Sequence, residues 1–307
     1  MAAKDDFLLR ISSLNSALSE KALSDGLLTD QDHNRKASIL RNGLAVVGFA
    51  ALEDFFKKRM SEVLAEVGRT GCSFSKLPER LRCAVTHEAI LALKQQLTYQ
   101  ETIADKMIFM QEETRKIAST AAVPYDLTAI AFGYSSSNVG ADEIKDAMAA
   151  FNIDRPWESV DRVAFQLGIS GVSLRNSYKV SYLRRNRAAH VAAANTPLPE
   201  LTQFVKDALA IAVSFDFLIS NSLLKVRFLD AAFLAGGLIG PSDLQIWVVR
   251  KESGIWRFKR LGTTRAKKAG NDFVTLRDHA RMDVIANRAA LAIFNDKGTL
   301  VDWVSPA

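Results

Sequence analysis

Cysteine is nearly absent from this chain. Cys72 and Cys83 are the only two in 307 residues; they form no CxxC pair and are too few for a disulfide framework or a zinc site. That usage fits a reducing compartment. No secretory leader is expected from MAAKDDFLLRISS, which sets acidic residues before a short apolar patch and has no extended apolar core. Long apolar runs are missing too: residues 43–52 (GLAVVGFAAL) are too short to span a bilayer, and Asp216 and Asn221 interrupt residues 208–224. Both stretches are expected as buried core helices of a cytoplasmic protein with no membrane partner. Internal repeats and low-complexity tracts are absent. No cofactor motif is found.

With 48% hydrophobic residues the chain can bury a sizeable core, as one large domain or one domain plus a small module. Its net charge of +6 is unevenly placed. Residues 242–307 hold 12 Lys+Arg against 7 Asp+Glu, or +5, leaving +1 for residues 1–241. A basic excess of this kind points to a polyanionic partner such as nucleic acid.

From residue 4 to about 230 the apolar residues recur with helical spacing. Leu40, Leu44, Val47, Ala51 and Phe55 mark one stripe, which Leu52, Phe56, Met60, Val63 and Leu64 widen into a core face; Thr29, Asp30 and Asp32 are placed to cap its start. A metal site of Asp30, Asp32 and His33 is the weaker reading of the same residues, since caps of this kind are common at helix starts. Residues 77–120 read as further helix, and 131–143 as a loop and a new helix start. Thr196-Pro197-Leu198-Pro199 ends one helix and opens the next, along which Leu201, Phe204, Val205, Ala208, Leu209, Ala212, Phe215 and Leu218 keep step. After the Gly/Pro linker LAGGLIGPSD the pattern alternates with period two in LQIWVVR and IWRFKRL, then in ALAIFND and TLVDWV. The expected architecture is mainly α: a helical bundle over 1–235 and a small basic β-rich module over 241–307.

One stretch stands apart. In LRRNRAAHVAAAN (183–195) three arginines and an asparagine sit within a few residues of a lone histidine. On a helix Asn186 and His190 share a face, Arg187 flanks the histidine, and Arg185 lies roughly 140° around. Guanidinium forks match phosphate oxygens and stabilise the extra charge of a phosphorane, while an imidazole can take a proton from a ribose 2′-hydroxyl or give one to a departing 5′-oxygen. Arg185, Asn186 and His190 are therefore the candidate catalytic set, with Arg184, Arg187 and Glu53 as candidate substrate-binding groups and no metal. Cleavage of this kind works best with a base and an acid, and the cluster has one histidine; His33, His87 and His279 lie in segments without such a cluster. A two-fold dimer would supply both from one sequence. Arg41-Asn42 repeats the Arg-Asn pair without a histidine and reads as helix surface or dimer contact. The strand around Trp256, Arg257, Phe258, Lys259 and Arg260 alternates ring and cation as nucleic-acid surfaces do; the favoured expectation puts the rings in the core and the cations in water, where they could still steer RNA.

Arg185-Asn186-Arg187-Ala188-Ala189-His190 resembles the R-N-x-x-x-H form of the Rx4-6H signature of the HEPN superfamily. ILRNGLAVVGFAALEDFFKKRM, the SSSNVGADEI loop before a short helix, and PELTQFVKDAL after the Pro-broken turn are similar to its RiboL-PSP branch, over roughly residues 35–225. The resemblance implies a dimeric helical bundle and a metal-independent ribonuclease of toxin–antitoxin, abortive-infection or anti-phage systems, with an antitoxin or defence-system protein as partner. It implies catalytic roles for Arg185 and His190, an orienting or binding role for Asn186, and an acidic neighbour in Glu53; on the residues alone Glu53 reads first as a helix-interior carboxylate paired with a nearby cation, such as an arginine of the cluster. Where some relatives carry a modifiable tyrosine two positions after the histidine, this chain has Ala192. Non-cleaving HEPN domains exist, so an RNA- or nucleotide-binding regulatory subunit is the second expectation.

Overall fold

One 37-residue helix, α2 (Gln31–Val67), forms the spine of the computed structural model, which describes residues 2–134 and 138–306. Asp30 starts it by accepting the His33 backbone N–H at 3.3 Å, as its capping position in the sequence suggests. The antiparallel helix α1 (Ala3–Ala17) and the later 30-residue helix α9 (Leu198–Arg227) pack on α2, and Gly48 lets them approach. A Cβ at Gly48 would lie 2.8 Å from a Leu14 methyl and 3.0 Å from the Phe204 ring. Pro197 and Pro199 open α9, whose Ala208–Leu223 stretch is buried all round. By length and apolarity α9 could cross a bilayer, yet 89% of that stretch is buried inside the fold.

The helix expected over 77–120 is present in several pieces. It divides into α3 (Glu79–Cys83), a π-turn at Ala84–Glu88, α4 (Ala89–Leu97) and α5 (Ile103–Ser119). Thr102 accepts the Asp105 N–H while Asp105 accepts the Thr102 N–H, and this reciprocal cap restarts the chain in a new direction. After the loop come α6 (Ala141–Ala150), α7 (Pro156–Gln166), α8 (Leu174–His190) and, past α9, the short α10 (Ala231–Leu234). Residues 135–137 of the expected loop at 131–143 lie outside the described residues; the new helix begins at Ala141.

The C-terminal segment is a mixed five-stranded sheet of β1 (Ile246–Glu252), β2 (Ile255–Arg260), β3 (Lys268–Gly270), β4 (Ala290–Phe294) and β5 (Leu300–Val304), in the order β3-β2-β1-β4-β5. Both expected hairpins are present, but β1 and β4 pair in parallel, joined through α11 (Phe273–Ala286). That helix is absent from the sequence reading, although Asp272 caps it and Leu276, Ala280 and Val284 recur at four-residue spacing and are buried. One face of the sheet packs under α11 through Val249, Trp256, Phe258 and Ile293. The other joins the helical core through Val248, Phe294, Leu300 and Trp303.

The first half of the expected α2 stripe is not core. Leu40 is 47% and Val47 63% exposed, against 4% for Ala51 and 1% for Phe55. Near its start α2 turns Ala37, Arg41, Ala45 and Phe49 inward instead, because there the bundle is closed by α1 and the chain around residues 194–196 rather than by large apolar side chains.

A buried carboxylate ties sheet to bundle. Asp216 on α9 accepts from Arg59 Nε at 2.6 Å on one oxygen, and from Trp303 Nε1 at 2.7 Å and Ser305 Oγ at 2.6 Å on the other. Burial pushes this carboxyl up, but the Arg59 charge and the three donors outweigh it and hold it below the ordinary carboxylate range. A depressed pKa contributes stability that is present above the unfolded-state value and lost as pH falls through the folded one. Arg59→Met, which leaves the charge unpaired, is expected to cost roughly 3–5 kcal/mol. Urea unfolding followed by tryptophan fluorescence checks this, and an unchanged midpoint would count against the latch.

Candidate functional site

Helix α8 carries five Lys+Arg and no acid. Cations in its last turn face the unsatisfied carbonyls and the negative end of the helix dipole, so Arg187 and His190 are where helix physics favours positive charge. The aromatic face of α8 lies on α2, with Tyr178 and Tyr182 rings 5.2 and 5.9 Å from Phe49, which turns the following residues toward solvent. His190 is the last residue of the helix and is exposed; the Val191 N–H closes the end on the Arg187 carbonyl at 2.9 Å.

Arg185 is half-buried. Its Nη1 donates to Asn186 Oδ1 at 3.1 Å, and its buried Nε has no partner among the described residues. Arg184 is committed elsewhere: it is paired with Glu200 in the first turn of α9 at 2.6 Å, a partner that any phosphate must displace or share. Arg187 is exposed and has no ion pair among the described residues. Arg184, Arg187, Leu183, Asn195 and Glu200 border a groove of about 350 Å³. Among the described residues no group of three His, Cys, Asp or Glu could hold a metal.

Glu53 is buried on α2. Its Oε1 accepts the Val139 N–H at 2.6 Å, while the Val139 carbonyl accepts from the Tyr178 hydroxyl at 2.6 Å, so one residue is held by α2 and α8 at once. Burial pushes the Glu53 carboxyl up; the Val139 bond and the charges of Lys57 and Arg185 act against that without cancelling it. Its expected role as a substrate-binding group is therefore corrected: a buried anion cannot hold phosphate, but it does lie in the field of Arg185.

The reading of Arg41-Asn42 as surface or dimer contact is also corrected. Arg41 is 1% exposed. Its guanidinium donates to the carbonyls of Thr196 at 2.8 Å and Leu23 at 2.6 Å, to Asn195 Oδ1 at 2.7 Å and to Asp25 at 2.9 Å. Asn42 donates to the Ala194 carbonyl at 2.6 Å and accepts from Thr196 N–H and Oγ1. Together they fix the chain just after His190. The signal was available, for Arg41 stands midway between Ala37 and Ala45 at the four-residue spacing of a buried face.

The arrangement thus sets one open imidazole and two guanidiniums, Arg185 and Arg187, on the last two turns of one helix whose far side is fixed by Arg41 and Glu53. Arg185 and His190 make no direct hydrogen bond, as their offset around the helix requires. Because the folded-state pKa of Glu53 is raised, its ionisation costs stability as pH rises above the ordinary glutamate range. Glu53→Gln, which keeps an acceptor for Val139, is expected to gain on the wild type with rising pH and to show no such gain at pH 4. Thermal melts across pH 4–8 check the sign, and a variant that loses ground as pH rises would reverse it.

No protein-family model, curated protein or solved structure matches this chain, and the geometry of the α8 end is what bears on its chemistry.

Proposed function

We propose that this protein is a metal-independent endoribonuclease of the HEPN type, working as a homodimer in which two α8 ends share one scissile phosphate. The observation that carries the reading is the exposed His190 with Arg187 beside it and Arg185 one and a half turns before, at the cationic end of a helix without acids. The attacking 2′-oxygen loses its proton to one His190 and bonds to phosphorus; the P–O5′ bond breaks, and the other His190 supplies the proton to the leaving oxygen. Arg185 and Arg187 hold the non-bridging oxygens, Asn186 orients Arg185, and the ends left are 2′,3′-cyclic phosphate and 5′-hydroxyl. The expected rate profile is bell-shaped in pH.

The dimer is supported by apolar side chains left in solvent beside the motif. On α2 Ile39, Leu40 and Val47 are exposed, and on the neighbouring α8 so are Val180 and Leu183. A second copy covering them buries apolar surface and brings the imidazole that one chain lacks. By the same resemblance the enzyme acts on cytoplasmic RNA in toxin–antitoxin or anti-phage defence, under a partner protein that restrains it. The single imidazole in each chain's motif favours a second reading if no dimer forms: a non-catalytic RNA- or nucleotide-binding subunit.

Total RNA incubated with the protein in excess chelator separates the two. Wild type is expected to cleave and His190→Ala to be slower by roughly 100-fold or more; RNA binding without cleavage by either supports the binding subunit, and cleavage abolished by chelator supports a metal enzyme. Sedimentation is expected to show a dimer that Val47→Asp dissociates, with cleavage falling in step. A fully active monomer would contradict the shared site.

A further inference from the structure

Charge in the C-terminal segment is concentrated in one place. Residues 250–268, which form the end of β1, all of β2 and the lead into β3, hold eight Lys+Arg and a single acid, Glu252. That net +7 exceeds the +6 of the whole chain. Glu252 serves two of these cations, Lys259 at 2.7 Å and Arg257 at 3.8 Å, and Lys267 pairs with Asp283 of α11. Lys251, Arg260, Arg265 and Lys268 are all exposed, and none has an ion pair among the described residues.

The register makes the cost of this arrangement visible. Arg250 stands directly across from Arg257, a like-charge pair of the kind that destabilises a sheet, and each has a buried Nε with no hydrogen-bond partner among the described residues. Folding alone does not explain such crowding. Trp256 and Phe258, which alternate with the cations, are buried under α11 and leave no ring for a base to stack on, so the surface offers charge without base readout. Nor does it resemble a protein-docking face, which needs large apolar anchors: among residues 250–268 Ile255, at 39%, is the one large hydrophobic side chain counted as exposed.

We infer that the β1–β3 end of the sheet is a second, non-catalytic nucleic-acid site that grips the phosphodiester backbone of single-stranded RNA through Lys251, Arg260, Arg265 and Lys268. The choice of RNA rests on the ribonuclease reading; the polyanion chemistry does not. Arg250, on the opposite, bundle-facing side of β1, ties this part of the sheet to the helices, since its guanidinium donates to the Leu167 carbonyl at the end of α7 and stacks 3.7 Å from the Phe294 ring. Leu167 precedes α8, which itself runs about 25 Å from Leu174 to His190. On this proposal the site retains long substrates and does not touch short ones.

The test uses the full-length protein and fluorescent single-stranded oligonucleotides of about 20 nucleotides, titrated at several salt concentrations. Replacing Lys251, Arg260, Arg265 and Lys268 together by Gln is expected to weaken RNA binding by roughly tenfold or more at 0.15 M salt. The log–log salt slope should become shallower by about 2.8, at about 0.7 per lost phosphate contact. His190→Ala should leave that slope unchanged while removing cleavage, and the four-Gln variant should cleave a trinucleotide at the wild-type rate. These two results separate failure of this site from failure of the ribonuclease reading. An oligodeoxynucleotide of the same sequence bound equally well assigns the surface to backbone charge alone, and tighter RNA binding adds a 2′-hydroxyl contact; both support the site. Equal affinity and slope for wild type and the four-Gln variant overturn it, as does absence of oligonucleotide binding by wild type, which would leave the patch to an acidic protein.

Discussion

A buried guanidinium holds the α8–α9 junction of this molecule in place. Arg41 projects from α2 into the junction between α8 and α9 and spends its donors on Leu23, Asp25, Asn195 and Thr196, which lie on two separate segments. A charge in that position is tolerated because every guanidinium nitrogen is engaged; carbonyls left without it would cost about 1–3 kcal/mol apiece. The consequence reaches beyond stability. The chain leaves α8 at Val191 and must re-enter as α9 at Leu198, and Arg41 with Asn42 determines the path between. His190 is thus exposed on a fixed terminus, which is what a group that transfers protons requires.

Glu53 does for the middle of α8 what Arg41 does for its end. Through Val139 it connects α2 to the loop before α6 and to Tyr178, and its charge lies close enough to Arg185 to be felt. Long polar side chains of α2 therefore support the motif helix from behind, while Ile39, Leu40 and Val47 of the same helix stay in water. α2 thus serves as scaffold and, in the proposed reading, as dimer surface. At its far end Arg59 joins the Asp216 latch, which makes the sheet part of the same packed body.

Much of this is legible in the sequence, and the misses share a cause. The mainly helical character, the Asp30 cap, the proline-opened α9, both hairpins and the polar cluster at 184–190 follow from spacing and local chemistry. Where the reading failed, tertiary contact overrode periodicity. Leu40 and Val47 have perfect helical spacing and still face solvent, because spacing says that residues share a face and not that the face is covered. Arg41 looked like surface because an isolated arginine usually is; only the carbonyls of segments 18 and 155 residues away make its burial affordable. The parallel pairing of β1 with β4 was hidden with α11, without which the segment reads as hairpins alone.

The central claim is chemical: the α8 terminus cuts RNA by using the substrate's own 2′-hydroxyl. Its most direct measurement is the rate at which wild-type protein cleaves two otherwise identical oligonucleotides, one all-ribose and one with a single 2′-deoxy residue immediately 5′ of the mapped cut. The account predicts that the deoxy substrate binds as before and stays intact at that linkage while the ribose substrate is cut. Cleavage of both at the same position and comparable rate would contradict it.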